Sequence, residues 1–236
     1  MADSGWPAGL RAKLKRSLVI SSLTVFALTA VANAAHGQAA IGTKPGWPNV
    51  GDRWVYEARD ADRPQNKHRI VVQVQEVTPS SIDDVVRIED RPQVMQTHRP
   101  GAYLRAVAPG IADFSPYLRA FQELRGGESW SEVEFKKLWE CGIGLIFCHA
   151  SARVAGKEKI SVPAGTYEAW KIVVKLILDM GGSATGYGEL SYWLAEETRR
   201  IVKYQSRVKF QVGGHYTWPQ PDIDMELQSY VPAAIR

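Results

Sequence analysis

The chain has 236 residues, with 29 Lys and Arg against 25 Asp and Glu, a net charge of +4 and only two cysteines. The excess charge is concentrated at the start. Residues 1–39 hold four bases (Arg11, Lys13, Lys15, Arg16) and one acid (Asp3), so 40–236 carries 25 bases and 24 acids, a net charge of +1. A nearly neutral domain gives no electrostatic reason to bind nucleic acid, and its length suits one domain with a substantial core.

The opening reads as a secretory signal. After the basic cluster, Leu18 to Ala32 is apolar or small, interrupted only by Ser and Thr. Ala32-Asn33-Ala34 and Gly37-Gln38-Ala39 then place small residues where a signal peptidase requires them. The competing reading is a membrane anchor, which needs ~20 predominantly apolar residues. This run is shorter and is diluted by Ser17, Ser21, Ser22, Thr24 and Thr29. The expectation is a signal over 1–39, cleaved after Ala34 or Ala39, and a single domain over 40–236. That domain would be periplasmic or secreted and would not span a membrane after cleavage.

Along 40–236 the hydrophobic period is two. Strands are expected over 52–59, 67–77, 83–90, 93–98 and 102–107, rich in Val, Ile, Tyr and Trp. Ser115 to Leu124 is the one helical candidate: Ser115 can cap it, Pro116 suits its first turn, and Tyr117, Leu118, Phe121 and Leu124 form an apolar side. Strands follow over 129–137 and 152–162. In 169–178, Trp170, Ile172, Val174, Leu176 and Leu178 alternate with Lys171 and Lys175. After 187–195, the 201–212 segment sets Val202, Tyr204, Val208, Phe210 and Val212 against Lys203, Gln205, Arg207, Lys209 and Gln211. In 222–231, Ile223, Met225, Leu227 and Val231 oppose Asp222, Asp224, Glu226 and Gln228. Turn residues separate these runs, among them Gly181-Gly182-Ser183 and Gly213-Gly214. The fold class is mainly β: a single curved antiparallel sheet of about ten strands, a half-barrel or incomplete barrel, with one short helix covering it.

No catalytic motif emerges. Gly-x-Ser-x-Gly is absent, and Gly181–Gly188 lacks the Gly-Lys-Ser/Thr ending of a P-loop. The acid pairs Asp83-Asp84 and Glu196-Glu197 read as solvated turn residues. His36, His68, His98, His149 and His215 do not recur at ligand spacing and read as surface or loop histidines. No catalytic residue, metal ligand or cofactor is expected. In an oxidising compartment Cys141 and Cys148 should form a disulfide. Free thiols are the alternative, as is a metal site with His149, although that spacing is not a zinc pattern.

Three segments carry a resemblance: Gly51-Asp52-Arg53-Trp54-Val55-Tyr56, Val162-Pro163-Ala164-Gly165-Thr166-Tyr167, and Tyr192-Trp193 through Arg200 to Tyr204. In the second, Pro163 presets φ and Gly165 takes the unusual angle of a tight reversal. Together they resemble a group of uncharacterised exported bacterial proteins, whose fold is akin to the half-barrel of periplasmic lipoprotein carriers and lipoprotein-sorting proteins. The resemblance implies a fold and transfers no catalytic residue. It directs attention to a concave apolar face bearing Trp54, Tyr56, Trp170, Ile172, Val174, Trp193, Tyr204 and Phe210. That face reads as a site for a lipid or other hydrophobic small molecule in a non-enzymatic envelope protein. The rival readings are a filled core beneath an outer surface that binds another envelope protein, and an envelope hydrolase.

Overall fold

The computed structural model describes residues 46–89, 91–99, 104–108, 111–117, 129–135, 147–179, 184–212, 215–217 and 222–234; at 105–108, 129–135, 147–148, 178–179, 184, 210–212 and 215–217 only the backbone is described. Thirteen strands occur among them: β1 (Arg53–Asp60), β2 (Lys67–Val77), β3 (Ile82–Ile88), β4 (Val94–His98), β5 (Leu104–Ala108), β6 (Ile111–Phe114), β7 (Ser129–Phe135), β8 (Phe147–Val162), β9 (Gly165–Asp179), β10 (Ala184–Ala195), β11 (Arg200–Val212), β12 (His215–Thr217) and β13 (Ile223–Val231). Eleven form one sheet in the order β4-β3-β2-β1-β13-β11-β10-β9-β8-β7, with β12 paired to β11; β5 and β6 form a separate two-stranded ladder. All pairings are antiparallel, and among the described residues the end strands β4 and β7 do not meet, so the sheet is open.

Alternation decides which face is inside. In β13, Ile223, Met225 and Leu227 are buried while Asp224 and Glu226 are only partly so. Val231 breaks the expected pattern and is 51% exposed. A bulge between Val55 and Tyr56 shifts the β1–β13 register, so β13 does not keep one strict alternation across it. In β9 and β10, Ile172 and Val174 stand opposite Tyr192 and Leu190, and all four are buried.

The sheet is strongly curled. β3 and β11 lie four steps apart in the sheet, about 19 Å if it were flat. Yet Arg200 Nη1 of β11 is 3.0 Å from Asp84 Oδ2 of β3. The inner face therefore wraps around its own side chains. The β5–β6 ladder covers part of it with Leu104, Ile111 and Phe114, all buried. This cover is also pinned by polar contacts: Tyr192 Oη donates to the Ala112 carbonyl (2.5 Å), and the Ala112 amide donates to Tyr204 Oη (3.3 Å).

The expected helix over Ser115–Leu124 lies largely outside the described residues, and none of the described residues is helical. Its first residues do not begin a helix. Ser115 has φ +40°, and Tyr117 forms an isolated antiparallel bridge with Arg200. The β9–β10 and β11–β12 turns at 180–183 and 213–214 are outside the described residues. The β8–β9 turn is described, with Gly165 at φ +144° directly after Pro163-Ala164. The Ala164 amide ties that turn to the Leu227 carbonyl at 3.0 Å.

Candidate functional site

The first and third resembling segments meet in space. Trp54 Nε1 donates to the Thr198 carbonyl (3.1 Å), and Tyr56 Oη donates to the Ile201 carbonyl (2.8 Å). The four-residue β10–β11 turn supplies both acceptors' neighbourhood, and Arg199 takes φ +58° to close it. Asp52, fully buried, accepts from the Asn49 and Ala233 amides at 2.8 Å each and so fastens both ends of the described domain together. These motifs thus mark structural joints.

At the centre of those joints is a sealed polar hub. The Arg200 guanidinium lies 3.0 Å from Asp84 and 3.5 Å from Asp113. Its plane also approaches the rings of Tyr117 (4.5 Å) and Trp54 (5.6 Å), a cation–π arrangement. Tyr117 Oη donates to Asp84 Oδ1 at 2.7 Å, and His98 Nε2 is 2.8 Å from Asp84 Oδ2. Every member is buried. Burial works against the Arg200 charge, but Tyr117, Asp84, Tyr56 and Asp113 outweigh it and hold the group well above its usual range. Burial pushes the Tyr56, Tyr117, Tyr192 and Tyr204 phenols up, so they remain neutral. The cavity beside the hub, lined by Tyr56, Asp113, Arg200 and Met225 among others, is only about 10 Å³. It has no room for a substrate.

The hub corrects two expectations. Asp84 is a fully buried strand residue, not a solvated turn acid, and His98 is a buried partner of that acid on β4. The Asp83-Asp84 pair already lay inside a run of Val and Ile, which is the one signal that could have placed Asp84 in a strand.

The expected apolar-face residues divide. Trp54, Tyr56, Ile172, Val174 and Tyr204 are brought together in the inner core. Trp170 continues the inner row of β9 but lies half-buried near its start, under the Lys157 ammonium (5.0 Å), with Nε1 donating to Glu196 (3.2 Å). Trp193 is also buried, at 5% exposure, and belongs to the core cluster, although it alternates with Tyr192 and stands in register with Lys171 and Lys203. Both ammonium groups approach its ring, at 5.0 and 5.7 Å, and Nε1 donates to Glu158 (2.5 Å). Phe210 is on β11, with its side chain outside the described residues. Cys141 and the Cys148 side chain are also outside them, so the disulfide expectation stands where the sequence left it. Among the described residues no group of His, Cys, Asp and Glu could hold a metal ion.

A much larger depression lies on the outer face of β8–β11, with a volume of about 660 Å³. Two cross-strand rows build it. His149, Ile177, Tyr187 and Lys209 are successive partners across the four strands, and Ser151, Lys175, Glu189 and Arg207 form the next row. Between them runs the inward row of Ala150, Leu176, Gly188 and Val208. Ile177 and Tyr187 are 50% and 53% exposed, so the trough lining includes an exposed apolar pair. Arg207 is anchored by Asp224 (2.7 Å) and Asp222 (3.8 Å). No sequence motif marks this trough; it arises from register alone.

Fold and site together define an open, curled antiparallel sheet with an inner face closely packed among the described residues, a buried ion-pair hub and an outer trough. No protein-family model matches the chain, and no curated protein matches its sequence. Among solved structures, it is similar to a candidate lipoprotein from Parabacteroides distasonis (13% identity, 78% of this chain and 97% of that one, TM-score 0.46). It is also similar to a candidate exported protein with a YmcC-like fold from Bacteroides fragilis (14% identity, 78% and 97% coverage, TM-score 0.46). A third is the hypothetical lipoprotein YmcC from Escherichia coli (10% identity, 79% and 87% coverage, TM-score 0.36). None of these likenesses assigns a role to a residue of this chain.

Proposed function

We propose that the chain is an exported, non-enzymatic binding protein of the bacterial cell envelope, whose inner sheet face is structural and whose working surface is the outer face of β8–β11. Export rests on the basic, apolar and small-residue succession in 11–39. The observation that carries the choice of surface is the contrast in space: about 10 Å³ beside the buried hub against about 660 Å³ in the outer trough. A ligand site of ordinary size occupies ~300–1,000 Å³. A lipid on the inner face would have to displace the β5–β6 ladder and break its bonds to Tyr192 and Tyr204. The hydrolase reading finds its acids and His98 locked to one another beside a cavity too small for a substrate.

Amide chemical-shift mapping with fractionated envelope extract tests this. Shifts centred on Ile177, Tyr187 and Arg207 support it. Shifts centred on Ile172, Val174 and Tyr204 transfer the function to the inner face, and no saturable shift with any fraction removes the binding role.

A further inference from the structure

The outer trough runs across four strands, between two rows of side chains that differ in character. Facing members such as Ile177 and Lys175, or Tyr187 and Glu189, are two residues apart on one strand, which sets the rows about 7 Å apart. Four strands at ~4.8 Å spacing make the trough about 14 Å long. Ala150 and Leu176 turn inward and are buried, so the floor between the rows is main chain. One row presents the exposed Ile177 side chain and Tyr187 ring next to each other. The other presents Ser151, Lys175 and Glu189, all exposed. The charges balance. The lining cations are Lys175, Arg207 and Lys209; against them stand Glu189 in the lining and Asp222 and Asp224, which hold Arg207. Glu189 lies in register between Lys175 and Arg207.

We infer that the trough binds an uncharged oligosaccharide, laid lengthwise across the four strands with the C–H face of a sugar ring on Tyr187. This rests on the outer-face reading above and names its ligand class. An anion meets no surplus of positive charge here. An extended peptide draws its affinity from a free strand edge, and β8, β9, β10 and β11 are each already paired on both sides. A purely apolar chain would strip water from Ser151, Lys175 and Glu189 and give them no partner in exchange. A sugar chain has an apolar face and a polar rim at once. Its ring face covers Tyr187 and Ile177, while its hydroxyls donate to Glu189 and accept from Lys175 and Ser151. Balanced charges suit this ligand, since they supply donors and acceptors and leave no net field that a neutral molecule cannot answer. A volume of about 660 Å³ accommodates one short chain.

The test titrates protein recovered from the periplasm with cellopentaose, maltopentaose and chitopentaose, and separately with decanoate below its micelle concentration, followed by amide chemical shifts. At least one pentasaccharide should bind one to one and shift the amides of 175–177 and 187–189. Its affinity should change less than about twofold between about 50 and 500 mM salt, because no net charge is neutralised. Tyr187→Ala should weaken it at least about tenfold, whereas Tyr187→Phe, which keeps the ring, should retain most of the affinity. Glu189→Ala should also weaken it. These positions face outward, and unchanged thermal unfolding confirms that the variants fold. Equal losses for Tyr187→Phe and Tyr187→Ala would overturn the stacking role. Decanoate binding at the same amides with no pentasaccharide bound would overturn the saccharide class and leave the outer-face reading standing. Pentasaccharide shifts centred on Ile172, Val174 and Tyr204 would overturn both, and no saturable binding by any of the three pentasaccharides would overturn the ligand class.

Discussion

Replacing Arg200 by methionine removes the only cation within hydrogen-bond reach of both Asp84 and Asp113 among the described contacts. Methionine keeps much of the side-chain length, so the change is chiefly one of charge and hydrogen bonding. Two carboxylates would be left buried, at 0% and 6% exposure. Breaking a buried pair in this way costs about 3–5 kcal/mol. Domains of this size are stable by ~5–15 kcal/mol in total. The expected loss is therefore a large fraction of the whole, a fall in Tm of about 6–20 °C at ~2–4 °C per kcal/mol. Urea and thermal unfolding, followed by far-ultraviolet circular dichroism, measure it. Arg200→Lys should fall between, because an ammonium keeps the charge without the fork that reaches two acids. The triple change Asp84→Asn, Asp113→Asn, Arg200→Met should recover part of the loss, since no charge is then stranded. If Arg200→Met costs less than about 1 kcal/mol, within the range of an exposed pair, the reading of the hub as a sealed structural joint is wrong.

Four further outcomes are expected. Tyr56→Phe leaves the buried Ile201 carbonyl without its 2.8 Å donor and should cost about 1–2 kcal/mol in urea unfolding. Gly188→Ala places a Cβ 2.9 Å from Val208 Cγ2; it should cost about 1–3 kcal/mol, with Val208→Ala in the same chain recovering part of it. Hydrogen bonds from Lys157 and Trp170 hold the Glu196 carboxyl below its usual range. A lowered acid contributes stability that is complete above the unfolded-state value and disappears as pH falls through the folded-state value. The stability difference between the parent and Glu196→Gln should thus shrink on acidification and be small throughout, because Lys157 and Glu196 are 40% and 53% exposed. Finally, protein recovered from the periplasm should begin at Ala35 or Ala40 by intact mass, and Cys141 and Cys148 should react with iodoacetamide only after reduction.

The sequence by itself determined most of the long strands and the inward row of each. Period-two alternation placed Ile172, Val174, Tyr204, Met225 and Leu227 inside, because a strand's side chains alternate whatever its neighbours are. It also placed the Pro163–Gly165 reversal, since proline and glycine act locally. It missed β6 and β12, which are four and three residues long and carry too few positions to show a period. Only the tertiary structure decided the rest. Asp84, His98, Asp113 and Arg200 come from four strands spread over more than a hundred residues, and nothing local in the chain announces that they meet. The curl of the sheet brings them together. The registers of β8 through β11 then assemble the outer trough from residues that, one strand at a time, look like an ordinary wet surface.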